Sequence, residues 1–104
     1  MKYKEFLSYL ESNLPGYEIF MEKALAYQRK KNSGRPAAKR WNEERLNRAA
    51  YDMWKQAMAP LYNNLKGEVK SPIPLMWVSY IEKHEVLESV TDSIRELDFS
   101  DGAA

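Results

Sequence analysis

The chain has 104 residues, with 16 basic and 15 acidic side chains, 44% hydrophobic residues and no cysteine. That length and apolar content suit one domain with its own core and exclude a low-complexity disordered chain. The missing cysteine excludes a disulfide framework, a thiolate nucleophile and a cysteine metal site, and it fits a reducing, cytoplasmic setting.

Tyr3, Phe6, Leu7, Leu10 and Leu14 recur at helical spacing and predict a first helix closed by Pro15-Gly16. A second run from Tyr17 to about Lys31 places Tyr17, Phe20, Met21, Ala24, Leu25 and Gln28 on one face. Gly34 and Pro36 forbid a continuous helix beyond it, so a loop over about residues 32–41 is expected.

Six of the thirteen residues from Arg29 to Trp41 are basic and none is acidic. An exposed cationic loop suits phosphates or acidic protein surfaces. Its candidate nucleic-acid-binding residues are Arg29, Lys30, Lys31, Arg35, Lys39 and Arg40, with Trp41 as a possible stacking platform for an unpaired base. The opposing expectation for Trp41 is a hydrophobic staple packed on Leu46. Ser33-Gly34-Arg35-Pro36 resembles the AT-hook core Arg-Gly-Arg-Pro, which lies extended in the minor groove, with Ser33 in place of the first arginine. The loop is too long for a helix-turn-helix.

Asn42 is an expected N-cap with Glu43 and Glu44 in the first turn. Leu46, Ala49, Ala50, Met53, Trp54, Ala57 and Leu61 then give the longest apolar stripe, widened by Met58, Tyr62 and Leu65. Pro60 is expected to kink this helix or break it after Met58, and Gly67 to end it. Glu44, Arg48 and Asp52 alternate in sign at spacing four and predict helix-surface ion pairs.

Ser71-Pro72-Ile73-Pro74 is a rigid connector. The uncharged run from Ser71 to Ile81 has eleven residues, against about 20 for a membrane-spanning helix, so no membrane partner is expected. Leu75, Val78 and Ile81 start another helix, and Leu87, Val90, Ile94 and Leu97 continue or restart it after a break near His84-Glu85. Residues 98–104 are expected to fray, with Phe99 docking back. These elements predict an all-α fold, a compact bundle of four to five helices forming a single domain over residues 1–97.

No phosphate-cradling glycine loop, nucleophile elbow or cysteine–histidine cluster is present, and His84 is the only histidine. The expectation is a non-catalytic protein without cofactor or metal. Charge is unevenly spread: Lys23 to Arg48 holds nine basic and two acidic residues, Glu82 to Asp101 two basic and seven acidic. Two functions follow. One is nucleic-acid backbone binding through the basic loop. The alternative is a protein-interaction module, an inhibitor or adaptor of the kind a phage or mobile element encodes. Its partner surface would be the acidic helix (Glu85, Glu88, Asp92, Glu96) with Tyr9, Tyr51 and Tyr62, or a homodimer face on the long helix.

Overall fold

The computed structural model describes residues 1–99, in which the periodicities become five α-helices: α1 Tyr3–Asn13, α2 Gly16–Ser33, α3 Glu43–Val69, α4 Pro74–Lys83 and α5 Val86–Arg95. A 3-10 turn, Ala37–Lys39, lies between α2 and α3. No strand occurs among the described residues, and the chain is an all-α bundle with dimensions of 49 × 24 × 21 Å.

The spine is α3. Its 27 residues extend about 40 Å. The Asn42 Oδ1 caps its first turn by accepting from the Arg45 N–H at 2.9 Å, as the sequence predicts. Pairs linking Arg29 to Glu43 and Asn32 to Trp41 set the end of α2 beside the start of α3, so the two run antiparallel. On the C-terminal half of α3, the Tyr62 ring lies 5.0 Å from Tyr3, 5.4 Å from Phe6 and 5.1 Å from Trp77, which joins α1 and α4 to the spine.

Trp54, Trp77, Phe6, Phe20, Leu10 and Ile81 are the largest fully buried side chains. Burying an indole requires an acceptor for its N–H. Trp77 donates to the Ser71 carbonyl at 2.6 Å. Trp54 donates at 3.2 Å to the Glu11 carboxylate, which also accepts the Tyr51 hydroxyl at 2.7 Å.

Helix α5 is fastened to α2 at two points. At Gly16 the backbone N–H donates to the buried Thr91 Oγ1 at 3.2 Å. Lys23 places its ammonium on the carbonyls of Ile94, Arg95 and Leu97 at 2.9, 2.6 and 2.9 Å, where a cation meets the negative end of the α5 dipole. A Cβ at Gly16 would stand 3.0 Å from the Thr91 Cα and from the Ile94 side chain. Gly16→Ala is therefore expected to cost about 1–3 kcal/mol by overpacking, read as a lowered Tm.

Several expectations are corrected. Pro60 does not break α3, which continues to Val69. Pro60 is exposed, and buried Met58 and Leu65 on either side hold the helix to the core. Gly67 does not end it either; the stop is Lys70, in the left-handed region at φ 54°. Arg48 makes no ion pair among the described residues, because Asp52 pairs with Lys55 one turn further on, at 3.2 Å. Tyr51 and Tyr62 are half-buried and their hydroxyls bond within the fold, Tyr51 to Glu11 and Tyr62 to the Met1 carbonyl at 2.6 Å. Ala57, placed on the core stripe, is exposed and lines an open apolar groove with Leu61, Val90 and Leu97.

Glu85, in the left-handed region at φ 52°, separates α4 from α5 where the break was expected. Phe99 docks against Phe20 and Tyr27, with ring centroids 5.4 and 6.0 Å apart. Residues 100–104 of the predicted frayed tail lie outside the described residues. Among those residues, no helix is long and apolar enough to cross a membrane.

Burial, together with its bond to Glu11, pushes the Tyr51 hydroxyl up from 10.0 to about 12. The folded chain then holds this proton more tightly than the unfolded one. Its stabilising contribution is complete below pH 10 and is lost as pH rises toward about 12. Thermal melts through that window are expected to show a falling Tm, with a smaller fall in Tyr51→Phe.

Candidate nucleic-acid interface

The basic segment folds into a braced turn. Ser33 closes α2, and its hydroxyl donates to the Lys30 carbonyl at 2.7 Å. Gly34 stays in the right-handed helical region (φ −81°, ψ −7°), and Pro36 leads into the 3-10 turn. The Ser33–Pro36 segment is thus folded, and the extended shape of an AT-hook core is absent.

Asn32 is the clasp. Its Oδ1 accepts the Trp41 N–H at 2.9 Å and its Nδ2 donates to the Trp41 carbonyl at 3.1 Å. One side chain thereby pairs with both backbone groups of a residue nine positions away. Arg35 donates to the same Oδ1 at 3.0 Å and sets its guanidinium 3.9 Å from the Trp41 ring centroid. The Arg45 guanidinium lies 4.1 Å from that centroid. Arg40 donates to the Arg35 and Ser33 carbonyls at 3.1 and 3.4 Å, and Arg29 pairs with Glu43 at 3.1 Å.

The predicted site residues therefore separate into two groups. Arg29, Arg35, Arg40 and Trp41 hold the loop together. Two guanidinium groups already occupy stacking distance over Trp41, so a base would have to displace one of them. Trp41 and the buried Leu46 border one open depression. Lys30, Lys31 and Lys39 are exposed and pair with no carboxylate among the described residues. Asn32 was not legible as a functional residue, because its role rests on a contact that no local periodicity encodes.

The acidic side chains lie elsewhere. Glu85, Glu88, Asp92 and Glu96 are exposed on or beside α5. The ion pair there is Asp92 with Arg95 at 3.5 Å, and none of the four carboxylates pairs with the basic loop. His84 is exposed, and its ring lies 4.2 Å from that of Tyr80 at a tilt of 36°. Among the described residues, no three His, Asp or Glu side chains come together to hold a metal ion.

Asn32→Ala is expected to free the loop while leaving its charge unchanged. Amide exchange at Trp41 should then rise roughly tenfold or more, for a clasp worth about 1–2 kcal/mol. Unchanged exchange would contradict the bracing described above. Compared with known protein families, with curated proteins and with solved structures, the chain gives no match.

Proposed function

We propose that the protein is a non-catalytic binder of nucleic-acid backbone, and that the braced loop between α2 and α3 is its contact surface. The observation that carries this reading is a set of three exposed lysines without an ion pair among the described residues, Lys30 and Lys31 in the last turn of α2 and Lys39 in the 3-10 turn, on either side of the Asn32–Trp41 clasp. A preformed loop loses little conformational freedom on binding. Lysine ammoniums act as point charges toward phosphate, whereas Arg29, Arg35 and Arg40 already have partners within the segment or on Glu43. With lysines as the contacts to phosphate, the contact follows the backbone and carries no direct base readout. Trp41 serves as the core of the brace in this reading.

Labelled duplex DNA, single-stranded DNA and RNA are expected to bind the full chain at low salt and to be released as salt rises. Absence of binding to all three at low salt removes the reading. A partner protein would then be sought at the acidic face of α5.

A further inference from the structure

The α3–α4 corner carries a second unassigned surface. Of the exposed large apolar side chains, three fall within four positions there: Ile73 at 55%, Leu75 at 71% and Met76 at 50%. Isolated exposed apolar residues are ordinary, but a contiguous group marks a contact surface. Their exposure is fixed by the fold. Helix α4 turns Trp77 and Ile81 into the core, which leaves Leu75 and Met76 facing out. Pro72 and Pro74 stiffen the connector, and its backbone is tied by the Trp77 indole to the Ser71 carbonyl at 2.6 Å and by the Met1 amino group to the Pro72 carbonyl at 2.6 Å. The apolar group cannot fold back onto the core.

Beside it lie three lysines and one carboxylate, a net positive balance. A groove of about 580 Å³ borders Pro72 and Pro74 and is lined by Lys2, Lys66 and Lys70. These lysines make no ion pair among the described residues. Glu5, the carboxylate lining the same groove, accepts from the Lys2 backbone N–H at 3.1 Å. The first turn of α4 holds no acidic residue to offset its dipole.

We infer that this corner docks on an anionic lipid surface, with Ile73, Leu75 and Met76 entering the headgroup–acyl boundary and Lys2, Lys66 and Lys70 meeting the lipid phosphates. Lysine stems lie along apolar matter while their ammoniums stay at the polar level. The cytoplasmic leaflet supplies the complementary negative charge. A bilayer yields to a protruding apolar wedge, whereas a protein partner would need a cleft shaped to it. The basic loop is a separate surface, because the length of α3, about 40 Å, stands between them.

The test is co-sedimentation of the full chain with vesicles of phosphatidylcholine containing about one-third phosphatidylglycerol, and with phosphatidylcholine alone. Binding to the anionic vesicles is expected. Leu75→Ser combined with Met76→Ser should lower it at least about tenfold. Lys66→Gln and Lys70→Gln should each lower it about fivefold. All four side chains are exposed, so circular dichroism and Tm should match the parent; Ile73→Ser is a second apolar variant if they do not. Replacing Lys30, Lys31 and Lys39 should leave vesicle binding within about twofold, because that loop lies beyond the screening length. No binding to anionic vesicles, or binding that survives loss of the apolar side chains, overturns the inference.

Discussion

Trp54→Ala is expected to lower the unfolding free energy by about 3–5 kcal/mol. Trp54 is fully buried at the middle of α3. Tyr17 and Phe20 meet its ring edge-on, with centroids 4.8 and 5.3 Å away. Truncation empties the volume on which α1, α2 and α3 converge, and none of the three helices can move in without losing other contacts. It also leaves the Glu11 carboxylate with one donor fewer, since Tyr51 and Trp54 share its Oε2. Domains of this size have about 5–15 kcal/mol in total, so a large share of the stability goes. Urea unfolding should show the midpoint falling with little change in slope. Trp54→Phe keeps most of the ring and removes the N–H, and should cost less than half as much. A loss below about 1 kcal/mol for Trp54→Ala would show that the core is not organised around this side chain.

The second large effect belongs to the loop. Three phosphate contacts imply that affinity for DNA falls about 40-fold between roughly 50 and 200 mM salt. Changing Lys30, Lys31 and Lys39 together to glutamine should flatten that dependence by about one unit of slope per lysine removed. Stability should change little, because all three are exposed and make no ion pair among the described residues. Replacing Arg29 instead removes a surface pair with Glu43, worth about 0–1 kcal/mol, and should affect binding far less. If the arginine change weakened DNA binding as strongly as the lysine changes, the division of the segment into braces and contacts would be wrong.

Much of the fold was legible because it is local. The Pro15-Gly16 stop, the Asn42 cap and the break at Glu85 are each set by neighbours within a turn, and all three stand where the sequence puts them. Pro60 and Gly67 misled because tertiary packing overrides local breakers when the flanking residues are buried, as Met58 and Leu65 are. The α4 stripe was half right: Ile81 is buried, but the inward face runs through Trp77, leaving Leu75 outside. At the candidate site the sequence located the basic segment and its loop. It did not separate Lys30, Lys31 and Lys39 from the arginines, since that division depends on Asn32 reaching Trp41 and on Glu43 lying beside Arg29. Both are contacts between helices, and neither leaves a periodic trace.

The most direct test of the nucleic-acid reading is a fluorescence-anisotropy titration of labelled duplex DNA with the full chain over a series of salt concentrations. The account predicts binding at low salt, with log affinity falling linearly against log salt at a slope near −3, the value for about three displaced counterions. No binding at the lowest salt, or binding with a slope near zero, would contradict it.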